Sequence, residues 1–234
     1  MRAMRMKKLL GFSLVAGLLL LTVVSASADT VHLYFNGPQG GSLGGVDTYP
    51  YGFTINGDNN GGNYYPLICD TFTRGISPGD QWDAYVLNMA NLNSTNVGGL
   101  FYGGINGGGN GAVQYYMAAA LLFMDARNNS GNAPYDNWAI WYMFDPTDVT
   151  GSSQWGSLSS TEQNTIKGDA SAAITLAASD HPSQFSDVVI YTPTDGVGQE
   201  FFGWDTPTPE PSSLALFGSG ILGIAAVLRR KMKA

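Results

Sequence analysis

The chain has 234 residues, enough for one ordinary domain with additional segments, and carries 18 acidic against 11 basic residues. All the acids lie between residues 29 and 211, where the only bases are Arg74, Arg127 and Lys167. So acidic a body argues against nucleic acid and anionic membranes as partners, and the single cysteine excludes an internal disulfide.

The N-terminal segment has the three parts of a secretory signal peptide. Four basic residues lie within the first eight positions, an apolar run covers residues 9–24, and Ala26-Ser27-Ala28 follows. Small residues in an Ala-x-Ala pattern predict cleavage by signal peptidase. We therefore assign residues 1–28 to the signal peptide, with Ala28 and Asp29 on either side of the cut.

Residues 29–206 are predicted to form one α+β domain, rich in β-structure in its first half. Apolar residues alternate with polar ones in "VHLYF" and "QWDAYVL", and "LIC" reads as a buried strand. Gly- and Asn-rich turns such as "NGDNNGGN" separate these segments, which is typical of a β-meander.

Two or three helices are predicted in the second half of this domain. Apolar positions over 112–127 repeat at helical spacing, and Ser159 and Glu162 form a capping box that opens a helix ending before Pro182. The segment "APYDNWAIWYMFDP" suits a helix up to Pro146, although its aromatic residues would also suit a strand. "DVVIYTP" and "GQEFFGW" are predicted to be closing strands.

The C-terminal segment, residues 207–234, has a tripartite pattern. Pro209-Glu210-Pro211 precedes an uncharged apolar run over 212–228, and Arg229 and Arg230 open a basic tail. The run is slightly short for a transmembrane helix, and the positive cluster favours retention on the cytoplasmic side.

This ending resembles the PEP-CTERM sorting signal of bacteria that make extracellular polysaccharide. The resemblance implies transient anchoring in the inner membrane and recognition and processing by an exosortase. It also implies release to the cell surface or extracellular matrix, in association with exopolysaccharide or biofilm.

Cys69 in "ICDTF" and Asn137 in "NWAIW" are the candidate reactive residues. The two segments resemble those of Gram-positive thioester adhesins, in which a Cys is cross-linked to the Gln of a Gln-x-Ala-Ile-Trp motif. Asn137, one methylene shorter, stands where that Gln would be. We predict that Cys69 and Asn137 pack near each other, as a reactive pair or as ordinary core residues.

The body also resembles a recurring group of PEP-CTERM proteins. The segments "CDTF", the Ala-rich helix, "AIW" and "QEFF" occur in the same order there. This resemblance implies a fold and hardly any function.

Other candidate sites have simpler explanations. Asp58 and Asn60 offer oxygen ligands for calcium, but turn chemistry also explains them, and no cofactor is expected. Tyr51, Tyr64, Tyr65, Trp82 and Tyr102 are candidates for stacking on sugars. Asp70, Asp80 and Asp83 would be the carboxylates of a glycoside hydrolase, although an acidic chain supplies such pairs by chance.

Two functions follow from the sequence. The first is a non-enzymatic exported protein of the surface or matrix, sorted by an exosortase and associated with polysaccharide. The alternative is a thioester-like adhesin or an exported enzyme built around Cys69.

Overall fold

The structure is a computed structural model that describes residues 30–204. The predicted signal peptide, its cleavage point at Ala28 and Asp29, and the whole sorting segment lie outside the described residues. Within the described span, none of the helices combines the length and the apolar character that a membrane crossing requires.

Six strands close into an antiparallel barrel in the order β1-β4-β5-β8-β7-β6, and β2 and β3 form a separate two-stranded ribbon. The strands are β1 (Thr30–Pro38), β2 (Ser42–Leu43), β3 (Val46–Asp47), β4 (Tyr51–Ile55), β5 (Tyr65–Cys69), β6 (Gln81–Asn88), β7 (Val188–Pro193) and β8 (Phe201–Trp204). The order is not that of a meander, because β1 lies between β4 and β6, and the last two strands close the barrel.

Five α-helices lie between β6 and β7 in the described part of the chain. They are α1 (Gly109–Asn128), α2 (Ala133–Phe144), α3 (Pro146–Gly151), α4 (Ser153–Ser157) and α5 (Ser160–Ala177). Short 3₁₀ turns occupy Asn60–Gly62, Met89–Asn91, Val97–Gly99, Ile105–Gly107 and Pro182–Phe185. The predicted α+β domain, with its helices in the second half, is confirmed.

Local sequence explains where the helices begin and end. The Ser159 hydroxyl accepts the Glu162 amide, and the Glu162 carboxylate accepts the Ser159 amide, so the predicted capping box opens α5. Asp145 separates α2 from α3, and its carboxylate accepts the Asp148 amide at the start of α3. The segment that also suited a strand is α2, and both of its tryptophans, Trp138 and Trp141, are buried.

The domain has two apolar cores, separated by strands that are buried on both faces. Leu67, Tyr191 and Phe201 point into the barrel, whereas their neighbours Ile68, Ile190 and Phe202 pack against the helices. Such strands are continuous apolar runs because neither face meets water. Cys69 belongs to the barrel interior.

Asp136 on α2 is buried among other acids. Its side chain is 3 % exposed, and its Oδ2 has no hydrogen-bond partner among the described residues. Burial, followed by the nearby charges of Asp125 and Asp169, raises the pKa of Asp136 to about 8.

We expect the D136N variant to be more stable than the parent at pH 8 by about 1 kcal/mol, allowing for solvent screening. The folded protein holds a proton on Asp136 that the unfolded chain releases near pH 4, so this contribution to stability falls as the pH rises to about 8. Urea unfolding of both proteins between pH 5 and about 8 measures the effect. A D187N variant, which removes an exposed charge before β7, is the control; equal curves for D136N and the parent would contradict the expectation.

Candidate functional site at Cys69 and Gln199

The site is built around Cys69, the last residue of β5, whose side chain is 1 % exposed. Its sulfur lies 2.9 Å from Oε1 of Gln199 and 3.1 Å from the carbonyl oxygen of Thr71, so the single thiol proton has two acceptors. The Thr71 amide donates to the sulfur at 3.3 Å. Gln199 is itself only 5 % exposed.

Strand register brings Cys69 and Gln199 together. In the β5–β8 pair Cys69 lies opposite Phe201, so Gln199 enters the sheet two residues before β8, beside the end of β5. The Asp70 amide donates to the Glu200 carbonyl at 3.3 Å and continues this pairing.

Two further contacts hold the segment that carries Gln199. Nη1 of Arg74 donates to the carbonyl oxygens of Gly196 and Gly198, the second at 2.9 Å, and its guanidinium lies 4.5 Å from the centre of the Phe101 ring. Gly198 packs on Trp82 so closely that a Cβ atom there would come within 2.9 Å of the indole. Both contacts fix the position of the segment that carries Gln199 beside the thiol.

A cavity of about 200 Å³ leads from this pair to the surface. Its inner wall includes Cys69, Gln199 and the buried Trp141, while the exposed Asp47 and Pro78 line its outer part. A small molecule or a slender side chain therefore has a path to the sulfur.

Two buried carboxyl groups, Asp70 and Glu200, lie directly next to the pair in sequence. Glu200 accepts hydrogen bonds from the Tyr116 hydroxyl at 2.6 Å and the Thr192 hydroxyl at 2.5 Å. Asp70 accepts the Thr71 hydroxyl on Oδ1, and its Oδ2 has no nitrogen or hydroxyl donor in the described residues. Asp70 faces Glu200, and a hydrogen bond between two carboxyl groups requires a shared proton.

Burial disfavours the charged forms of these groups. Burial first, and then the charge of Glu200, holds the pKa of Asp70 well above its usual value. Burial also raises the pKa of Glu200, against the hydrogen bonds that it accepts. Burial, and then the charge of Asp70, raises the pKa of the Cys69 thiol. The thiol is therefore protonated at rest, and any reaction of its sulfur needs local assistance.

Asn137 lies beside Cys69, but its side chain binds backbone. Its Nδ2 donates to the Cys69 carbonyl and its Oδ1 accepts the Tyr49 amide, each at 2.9 Å. Gln199, rather than Asn137, is the amide that meets the thiol. Gln199 was not among the residues predicted from sequence, because a single Gln before a closing strand carries no signal until the register of β5 and β8 is known.

The remaining candidates lie apart from this site or in the cores. Both carboxylate oxygens of Asp58 accept hydrogen bonds within its own turn, from the Asn60 amide and the Tyr65 hydroxyl, and calcium binding there stays a prediction. Across residues 30–204 no three His, Cys, Asp or Glu side chains gather as a metal site would need.

The proposed carboxylate and sugar-stacking residues are likewise engaged. Asp83 pairs with His32, and Asp80 accepts the Ser77 amide. Of the aromatic candidates, Tyr51 and Trp82 are buried, whereas Tyr64, Tyr65 and Tyr102 are half-buried.

Comparison with known proteins identifies the C-terminal segment. The model of the PEP-CTERM protein-sorting motif matches residues 207–231. The chain carries a PEP-CTERM sorting signal. The signal implies processing by an exosortase, export and display at the cell surface. No curated protein matches the chain.

Solved structures similar to the body include domains of surface proteins from Streptococcus pyogenes and Clostridium perfringens. They include the N-terminal domain of the Streptococcus pyogenes pilus tip adhesin Cpa, at 14% identity and a TM-score of 0.45, over 77% of this chain and 95% of that one. The N-terminal thioester domain of the S. pyogenes fibronectin-binding protein SfbI matches at 13% identity and a TM-score of 0.43, over 76% of this chain and 94% of that one. The N-terminal thioester domain of a Clostridium perfringens surface protein matches at 11% identity and a TM-score of 0.42, over 75% of this chain and 98% of that one. The body thus resembles thioester-domain adhesins at low identity.

Proposed function

We propose that this exported surface protein forms an internal thioester between Cys69 and Gln199 and uses it to attach covalently to its surroundings. The observation that carries the proposal is the 2.9 Å contact between the Cys69 sulfur and Oε1 of Gln199, made by two buried side chains at the inner end of a cavity. A thiol held against a primary amide in a site with restricted access to water has the partners that thioester formation requires.

Bond formation proceeds without a cofactor. The Cys69 sulfur attacks Cδ of Gln199, the C–N bond breaks, and the nitrogen leaves as ammonia with the thiol proton. The thiol donates a hydrogen bond to Oε1, which polarises the carbonyl group and makes Cδ more electrophilic. The product is a thioester facing the cavity.

Attachment consumes the bond. A primary amine or hydroxyl that enters the cavity attacks the thioester carbonyl carbon, the C–S bond breaks, and the proton lost by the nucleophile is taken up by sulfur. The protein becomes acylated to its partner and regenerates the free thiol. Each molecule reacts once, so the protein is an adhesin and not an enzyme.

Matrix polysaccharide is the partner that we propose. Export after signal peptidase cleavage, followed by exosortase sorting, delivers the domain to the cell surface, where hydroxyls and amino sugars of exopolysaccharide are abundant nucleophiles. The carboxylate of Asp47 on the outer cavity favours an approaching ammonium group over an anion. Covalent linkage to such a polymer assigns the protein to biofilm structure.

The thioester is tested by the intact mass of the protein purified after export from its host. We expect the measured mass to be lower, by one ammonia, than the mass calculated from the sequence of the mature protein. Incubation with methylamine or glucosamine should then raise the measured mass by that of one whole amine molecule. The C69A and Q199A variants should show neither change. If Asn137 were the partner, the loss of ammonia would persist in Q199A and disappear in N137D. An unmodified mass, with a thiol that labels stoichiometrically on denaturation, would reject the proposal.

A further inference from the structure

Trp141 on α2 carries a buried hydrogen-bond donor with no acceptor. Its side chain is 2 % exposed, and its indole Nε1 makes no hydrogen bond with the described residues. A buried, unpaired donor is destabilising, so its presence requires an explanation.

The surroundings of Trp141 supply that explanation. Trp141 lines the same cavity as Cys69 and Gln199. Trp138, one turn earlier on α2, differs from it, because its Nε1 donates to the Leu43 carbonyl at 3.1 Å. The two buried tryptophans pack on each other with ring centres 5.4 Å apart, but only Trp141 lines the cavity and only Trp138 uses its N–H in a hydrogen bond among the described residues.

We propose that the Trp141 indole N–H is the donor that stabilises negative charge on the Cys69 sulfur, first as the thiolate attacks Gln199 and later as sulfur leaves during attachment. The inference rests on the thioester proposed above and adds a residue to its chemistry. In the resting protein the sulfur is a neutral thiol and a weak acceptor, so the N–H makes no close hydrogen bond; charge on the sulfur would draw it in.

The charges around the sulfur show why a donor is needed there. The titratable groups that interact with Cys69 include Asp70, Glu200, Tyr51 and Tyr102, none of which is a cation. Arg74 lines the same cavity, but its guanidinium donates to the carbonyl oxygens of Gly196 and Gly198. Burial and the Asp70 carboxylate raise the pKa of Cys69, whereas the Thr71 amide and the Trp141 indole lower it. The Thr71 amide already donates to the sulfur at 3.3 Å, and the Trp141 indole would add a second donor.

In both steps the electrons and protons balance. During formation the thiol loses its proton to the departing nitrogen, and sulfur bears charge until the C–S bond is complete. During attachment the C–S electron pair returns to sulfur, which then takes the proton of the nucleophile. The indole N–H donates throughout and is not itself consumed.

The W141F variant tests the donor, with W138F as the matched control, because both substitutions replace a buried indole by a smaller ring. For W141F we expect ammonia loss and methylamine incorporation, followed by intact mass, to be slower than in the parent by about ten-fold or more. W138F should react at the parental rate once compared at equal folded fraction. Equal rates in W141F and the parent, or equal slowing in the two variants, would overturn the inference.

A second measurement does not depend on the thioester. In Q199A the thiol stays free, and the rate of its alkylation by iodoacetamide is followed against pH. Adding W141F should move the midpoint of this profile upward by about one pH unit. If the alkylation midpoint shifts but the parent shows no loss of ammonia, the role of Trp141 as a donor is retained and the thioester is rejected. If the thioester forms but W141F neither shifts the midpoint nor slows the reaction, only the role of Trp141 is rejected.

If W141F does not fold, the Q199A variant with Trp141 intact decides. The indole N–H resonance of Trp141 in Q199A should move downfield as the free thiol ionises, and the added C69A substitution should abolish that movement. A resonance that does not respond to thiol ionisation would contradict the inference.

Discussion

Replacing Glu200 by alanine is expected to lower the free energy of unfolding by about 3–5 kcal/mol, the largest loss of stability that we expect from one substitution. Three donors converge on this buried carboxyl group: the hydroxyls of Tyr116 and Thr192 at 2.6 and 2.5 Å, and the amide of Phe101 at 3.3 Å. All three would be left without an acceptor, and a cavity would open between the barrel and α1.

The E200Q variant separates hydrogen bonding from charge. Its amide keeps the size of the side chain, so we expect it to recover most of the stability lost in E200A. Denaturant unfolding near neutral pH gives the free energy of unfolding of both variants, and an unchanged m-value checks that unfolding stays two-state. A loss below about 1 kcal/mol in E200A would show that these contacts contribute little.

Glu200 also links stability to the site. Asp70 follows Cys69 and Glu200 follows Gln199, so the carboxyl pair holds β5 and β8 in the register that places sulfur against amide. Because the pKa values of both acids are raised in the folded protein, the stability that the pair contributes declines as the pH rises. Mild acid should therefore favour the intact site.

Local patterns predicted most of the elements of this fold. Alternation indicated β1 and β6, and the capping box located the start of α5 to the residue. The segment from Ala133 to Phe144 suited two structures from sequence, because aromatic residues bury equally well in a strand or a helix. Packing decided between them: α2 is buried against the other helices on several sides, so no polar face marks its period.

The barrel and the partner of Cys69 could not be predicted in the same way. Pairing between β5 and β8 brings together Cys69 and Gln199, which are 130 residues apart in the sequence, and no local preference encodes such a register. Cys69 was recognisable because it is the only cysteine. Gln199 required that register, and so the motif resemblance pointed to Asn137, which the fold does place beside Cys69 but against its backbone.

Replacing Glu210 by alanine is expected to block C-terminal processing altogether while leaving membrane insertion intact. Glu210 lies in the matched sorting motif, whereas the apolar run over 212–228 and the basic residues from Arg229 onward, which direct insertion, are unchanged. In a host with an exosortase, the variant should accumulate in the inner membrane at the size of the precursor without its signal peptide. The parent should lose roughly its last two dozen residues and leave that membrane.

Fractionation and immunoblotting distinguish recognition from anchoring. Removing the basic residues from Arg229 onward should weaken membrane retention, so that unprocessed chain passes through. The T206A variant, just before the matched residues 207–231, serves as the matched control and should be processed like the parent. If E210A is cut and released normally, or if the parent stays uncut, the segment acts only as an anchor. In that case the cavity over Cys69 would remain tethered at the inner membrane, where matrix polysaccharide at the cell surface is out of reach. The proposed attachment through the thioester would therefore depend on Glu210 as well as on Gln199.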